Sequence, residues 1–247
     1  LNTLKSLFLQ VQWLHNEVKN PYVSRNIGIK QAKGTIIGFL DAKCSAKPNW
    51  LESAMTYFAD KENVIVAGAY DVMPPSAKLR DLIYPILYLN NQKNVEKDFG
   101  VTTGNLLVPR TIFRTEGVFD TDHISGNDIK WTKKALKAGI TIRYAPDVIV
   151  EYRGQSYELL SGSIKKYISG IYHQKRKERR DILNHLRQVF KYLLPMRRSY
   201  FNEALRYRDL EKKSLWDKCY LWILVWSVKI RMALHYLQCL TANGEKK

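Results

Sequence analysis

Three aspartates stand where the chain pattern would deliver them to a site. Asp41 follows the apolar run Thr35-Ile36-Ile37-Gly38-Phe39-Leu40. A continuous apolar run between turn signals reads as a strand buried on both faces, so Asp41 marks the strand's C-terminal end. Asp71 ends a second run, "NVIVAGAYDVM". Asp128 follows a glycine-containing loop, "ISGN", and opens "DIKWTKKALKAG", an amphipathic helix stopped by Gly139. Backbone amides at a helix N-terminus stabilise a charged carboxylate. Asp128 therefore reads either as an ordinary charge at a helix start or as a base that could take a proton from a hydroxyl. A second carboxylate two residues after Asp41 would complete a clamp for a divalent cation, but Lys43 holds that position. His15, His123, His173, His185 and His235 form no ligand-spaced pair. Cys44, Cys219 and Cys239 are too widely spaced for a zinc site or a disulfide framework, which suits a reducing compartment.

The elements that must position these groups alternate. Residues 1–10 read as a helix and "VQWL" as a short strand. "SRNIGIKQAKG" reads as a helix capped by Ser24 and stopped by Gly34. "KPNWLESAMTYFAD" is a helix with Trp50, Leu51, Ala54, Met55 and Phe58 as its buried stripe. A strand over Asn105–Val108 follows a segment, 74–99, whose helix is interrupted by Pro85. "TIRYAPDVIVEY" reads as two short strands split by Pro146. Helices alternating with strands predict an α/β sheet, and in an open sheet of that kind ligands bind at the carboxyl ends of the strands.

The chain has 247 residues, 45% of them hydrophobic, enough for one full core or a domain with an appendage. Its formal net charge of +17 requires an anionic partner: nucleic acid, phospholipid head groups or a phosphorylated substrate. "KKYISGIYHQKRKERR" (165–180) holds seven Lys/Arg and one Glu. No nucleic-acid fold motif accompanies it. The stripe Leu215, Trp216, Cys219, Trp222, Ile223, Trp226, Ile230, Ala233, Leu234, Leu237 beyond it favours lipid, because tryptophan prefers the membrane interface. Cys219–Val228 is too short to span a bilayer. The expectation is attachment to an anionic membrane surface on the cytoplasmic side, with no nucleic-acid partner. The alternative is that the stripe packs on the first domain. The domain boundary falls at 160/161.

In order, the motifs resemble the family 2 glycosyltransferases. "SRNIGIKQAKGTIIGFLDAKCSAKPNWLE" is similar to that family's Arg-Asn-x-Gly, Ala-x-Gly, Asp-x-Asp and Pro-x-Trp-Leu blocks. "TGNLLVPRTIFRTEGVFDTDHISGNDIKWTKKALKAG" looks like its Gly-Asn strand, Gly-x-Phe-Asp turn and Glu-Asp helix. The resemblance covers roughly residues 11 to 155, the ordered set being more specific than any single motif. It implies a GT-A type fold, a Rossmann-like mixed sheet flanked by helices, with the basic and amphipathic helices appended. It also implies inverting transfer from a nucleotide sugar to a lipid-linked or polysaccharide acceptor in cell-envelope glycan synthesis. Residue by residue, it makes Asp128 the base and Asp41 the donor-side acid. Arg25 and Asn105 join the donor site, and Lys134 falls where the family often has arginine.

The departures are specific. Asn127 replaces the glutamate before the base. Lys43 replaces the second acid of Asp-x-Asp, and Tyr152 stands where a metal-ligating histidine often ends the strand after "YAP". Mg²⁺ or Mn²⁺ would then be held through Asp41 alone, and no metal ligand set is expected. Lys43, assisted by Arg153, could neutralise a diphosphate leaving group in the metal's place. Lys43 could equally mark a decayed site in a catalytically inactive, membrane-associated relative, or point to solvent. The resemblance also places the family's first strand–helix–strand unit before residue 1.

Overall fold

The computed structural model describes residues 11–59, 63–76, 78–88, 90–177, 181–206 and 210–242. The helix read over 1–10 lies outside them. "VQWL" forms no strand: Val11, Trp13 and Leu14 are exposed and residues 11–20 run irregularly. Helix α1 spans Pro21–Gln31, starting earlier than Ser24. Pro21 takes the first helical position, where its missing N–H costs nothing. The Asn20 side chain accepts the Tyr22 backbone N–H as the cap.

Five strands form one mixed sheet: β1 (Ile36–Leu40), β2 (Cys44–Ala46), β3 (Val64–Met73), β4 (Asn105–Pro109) and β5 (Thr141–Arg153). Their order is β1-β4-β3-β5-β2. β3 and β5 are parallel, and every other pair is antiparallel. Among the described residues β1 is an edge strand, and it buries one face rather than two: Ile37 and Phe39 point inward while Gly38 and Leu40 are exposed. β5 is one strand, not two. It runs through Pro146 because the register slips between Gly68 and Ala69, leaving residues 146–148 as a bulge, where a missing N–H is tolerated.

Short helices flank the sheet: α2 (Trp50–Thr56), α3 (Ile83–Tyr88), α4 (Asn91–Glu96), α5 (Arg110–Glu116) and α6 (Asn127–Lys137). α3 follows a 3₁₀ turn at Leu79–Leu82, so Pro85 falls in its first turn, where proline does not break a helix. One face of the sheet packs Phe39, Phe113, Phe119 and Trp131 against α1, α5 and α6, with Phe113 stacked on Trp131 at 4.6 Å. The other packs Val64, Val66, Leu107 and Val148 against Ala54 of α2. Leu51 and Met55, expected in that stripe, are exposed, since seven residues bury only a narrow face.

Helices α7 (Leu160–Lys177), α8 (Ile182–Leu193), α9 (Arg198–Arg206) and α10 (Leu215–Ala242) build a separate core. Ile83 and Ile86 of α3 belong to that core although they precede the 160/161 boundary. The face of α10 that packs is Leu221, Val225, Val228, Met232, Ala233 and Tyr236. Each fully buried aliphatic side chain of this kind contributes about 1.5–3 kcal/mol. Most of the stripe read from sequence is on the other side: Leu215, Trp216, Ile223, Trp226, Leu234 and Leu237 are exposed. α10 is apolar on two faces, so spacing alone could not choose between them. No helix among the described residues is long and apolar enough to cross a membrane.

Candidate active site

At the carboxyl end of the sheet lies a cleft of 520 Å³, with Asp41 and Asp128 both in its wall. Asp41 leaves β1 and enters a tight turn closed by the Cys44 N–H donating to the Asp41 carbonyl at 2.8 Å. Asp128 sits in the first turn of α6, after Gly126, whose φ of +84° is left-handed backbone that glycine adopts without strain. The two carboxylates come from chain segments far apart in sequence, and α1 connects them.

Arg25 and Tyr22, three residues apart, face the cleft from the same side of α1. The Arg25 guanidinium donates to Asp41 Oδ1 at 2.8 Å and lies over the Tyr22 ring. The Tyr22 hydroxyl donates to Asp128 Oδ1 at 2.9 Å. Asp128, 8% exposed, also accepts from the Thr103 backbone N–H at 3.2 Å, the Thr103 hydroxyl at 3.3 Å and the Ile129 N–H at 3.0 Å. Burial, then the adjacent Asp128 charge, pushes the Tyr22 phenol well above its ordinary pKa, so it stays a donor at neutral pH. Asp128 is thus a buried carboxylate held by neutral donors and open to a substrate on its cleft side.

Tyr70 and Tyr152 meet edge to face in the same wall, 6.2 Å apart. Burial raises the Tyr70 phenol as well. Gly104 leaves them room: a Cβ there would come within 2.6 Å of the Tyr70 hydroxyl and 3.2 Å of Asp41 Oδ2, so one of these side chains would have to move. The far wall is Ser163 and Tyr167 of α7, Met196, and Tyr200 and Ala204 of α9. The appended helices therefore roof the cleft.

Asn105, expected at the donor, is not in the cleft. It is fully buried, its amide donating to the carbonyls of Ala69 at 2.8 Å and Val148 at 2.9 Å, while its carbonyl accepts the Trp50 indole N–H at 2.9 Å. Those three bonds use its side chain to clamp β3, β5 and α2 at the bulge. Gly68 leaves the space, since a Cβ there would meet the Asn105 amide at 2.3 Å. Lys43 and Arg153 are brought together at the rim. The Arg153 N–H donates to the Lys43 carbonyl at 3.0 Å, both residues are exposed, and neither side chain forms an ion pair among the described residues. They do not line the cleft wall beside Asp41. Lys134 reaches back to Glu116 and takes no part.

Sequence reasoning missed Tyr22, Thr103 and Lys47. Lys47 pairs with Glu151 and with Asp71, the latter at 3.3 Å, and these bonds raise its ammonium pKa, Glu151 first. Asp71 is therefore committed to the opposite face of the sheet from Tyr70. The i, i+3 spacing of Tyr22 and Arg25 could have shown their shared face, had the helix been read from Pro21.

The donor set does not suit a hard divalent cation. A guanidinium occupies Asp41 Oδ1, an ammonium stands two residues on, and Lys47 neutralises the carboxylate pair Asp71 and Glu151. Among the described residues no three acids, histidines or cysteines cluster for a metal.

Residues 2–115 match the profile of Glycosyl transferase family 2. The chain is 31% identical over 137 residues to glycosyltransferase AglE of Haloferax volcanii, covering 55% of this chain and 45% of that one. It is 24% identical over 151 residues to pre-mycofactocin glycosyltransferase of Mycobacterium tuberculosis, covering 56% and 31%. The chain thus spans less than half the length of these relatives. Among solved structures, GalNAc-T7 with UDP, GalNAc and Mn²⁺ superimposes with a TM-score of 0.50 at 18% identity, covering 68% of this chain and 37% of that one. That likeness bears on the fold alone: a mixed sheet of the GT-A kind between helices. Over the matched segment the chain is thus similar to the family 2 glycosyltransferases, on a fold of the GT-A kind.

Proposed function

We propose that this chain transfers a glycosyl group from a nucleoside diphosphate sugar to a hydroxyl of a lipid-linked or polysaccharide acceptor, with inversion, in cell-envelope glycan synthesis at the cytoplasmic face of a membrane. The observation that carries the proposal is the convergence of Asp41 and Asp128 on one cleft, joined through Arg25 and Tyr22. Asp128 accepts the acceptor's hydroxyl proton as that oxygen bonds to the anomeric carbon. The bond from that carbon to the diphosphate breaks in the same step, and the diphosphate leaves with the electron pair. Asp41, held by the Arg25 guanidinium, positions the donor, and the exposed Lys43 and Arg153 meet the charge that develops on the leaving diphosphate. A metal adds nothing that these residues are arranged to receive, and no step here uses one.

A transfer assay with Asp128→Asn tests the reading: loss of turnover with retained nucleoside diphosphate binding supports it. One observation favours a second reading, a catalytically inactive module that binds at the membrane: Arg25 occupies Asp41 Oδ1, while Lys43 and Tyr152 stand at the sequence positions where the resemblance puts metal ligands. Nucleotide binding without transfer to any hydroxyl acceptor, water included, would decide for that reading.

A further inference from the structure

The exposed apolar residues on the helical core converge on one face. On α8, Leu183, Leu186, Phe190 and Leu193 line an open groove of 460 Å³, and among the described residues Arg187 is its one charged wall. Phe190 is 63% exposed and Leu183 58%. α10 continues this face. The Trp226 indole donates to the Leu193 carbonyl at 2.8 Å, the Trp222 indole to the Met196 carbonyl at 2.9 Å, and the Lys229 ammonium to the Leu194 carbonyl. Trp216, at 85%, stands clear at the start of α10. Large apolar patches of this kind mark an interaction site.

Two features say what covers it. Arg187 lines the patch, and Lys191 and Lys229 stand together where α8 meets α10; among the described residues the acids of these two helices are Asp217 and the α8 cap Asp181. Lys191 and Lys229 lie close enough that Lys191 helps burial lower the Lys229 pKa. A second copy meeting this face across a two-fold axis would set those cations against their own images. An anionic bilayer gains from both components: apolar side chains enter the acyl boundary, indoles sit at the interface, and ammonium groups meet head-group phosphates. The face also connects to the cleft. Leu193 walls the groove and Met196, three residues on, walls the cleft, a span of at most about 11 Å of extended chain.

We infer that the outward face of α8 and α10 docks on an anionic lipid bilayer and brings the cleft to the membrane surface through the 193–196 segment. This rests on the proposed transfer to a membrane-borne acceptor only for its purpose, not for its contacts. The test is flotation of the full chain with phosphatidylglycerol-containing and pure phosphatidylcholine vesicles at low and high salt. Binding to the anionic vesicles, weakened by salt, is expected. Phe190→Glu with Leu183→Glu, both exposed and so compatible with the fold, should reduce it about tenfold or more. Leu51→Glu, equally exposed but on α2, should leave it unchanged. No flotation at low salt, or equal flotation of the α8 variant, overturns the inference. A concentration-dependent dimer abolished by the α8 variant also overturns it, by making a second copy the occupant. Calorimetry of UDP and GDP against the α8 variant separates the two proposals. Lost flotation with unchanged nucleotide binding supports the lipid face alone. Flotation without nucleotide binding upholds the lipid face and removes the donor reading.

Discussion

Asp41 and Asp128 are the same side chain in two different settings. Asp41 is half exposed and bonded to a guanidinium. Asp128 is buried and bonded to a phenol, a hydroxyl and two backbone amides, with no ion pair among the described residues. A permanent cation on a carboxylate favours its charged form and opposes its taking a proton. Neutral donors orient a carboxylate without adding a positive charge that would repel an incoming proton. On the proposed reading the difference separates an anchor from a base, and neither setting is visible in the three letters on each side of the aspartate.

The largest effect that would break this contrast is at Asp128. Asp128→Asn keeps the shape and removes the proton acceptor, so turnover should fall by about 10² or more while donor affinity changes little. Unchanged turnover would reassign the base. At the anchor end, Lys43→Asp replaces an exposed ammonium with a second acid beside Asp41. Metal-free binding of a nucleoside diphosphate should weaken by about tenfold, with a partial response to Mn²⁺ appearing in calorimetry. If that variant binds as tightly as the parent without metal, Lys43 does not meet the diphosphate. Tyr22→Phe removes one of the neutral donors from Asp128. Turnover should drop several-fold at nearly constant KM, and the urea midpoint should report about 1 kcal/mol of lost stability. A change in KM alone would move Tyr22 from the base to the donor side. The smallest effect sharpens the contrast by its absence: EDTA should leave nucleoside diphosphate binding to the parent within about twofold. Strong metal dependence would mean that Arg25 releases Asp41 when the donor arrives.

The positions of Asp41 and Asp128 were legible in the sequence because one follows a strand and the other opens a helix, and turn residues announce such positions; Arg25 lies inside α1 and came only from the resemblance. The alternation of β1, α2, β3 and β4 was legible for the same reason. Asn105 was misplaced because a buried amide that closes a bulge has no local signature. Its partners, Trp50, Ala69 and Val148, are distant in sequence. The break expected at Pro146 failed on that same bulge. Tyr22 was hidden by starting the helix at Ser24, when Asn20 and Pro21 are the helix start. The helical core resisted for another reason. α10 carries apolar residues on both faces, and only the partners at Leu221, Val225 and Tyr236 decide which is inside. Those partners include Ile83 and Ile86, which the sequence order assigns to the other domain.

The Asn105 clamp also has a consequence for the order in which this chain can be completed during synthesis. β3 and β4 pair with each other from residues already made by position 109. The amide that locks them holds Val148, 43 residues further on, and that residue lies in the same strand that must slide in parallel beside β3. Until the ribosome has released residue 148, Asn105 has lost water on one side without gaining all of its partners. The floor beneath Asp41 is then a pair of strands with an unfilled polar atom between them. Such late, long-range closure is slow and leaves edges exposed to other chains. Nascent chains ending before β5 should therefore resist compaction even though every residue of the Asp41 motif is present. A chain extended past residue 153 should acquire protease resistance in one step.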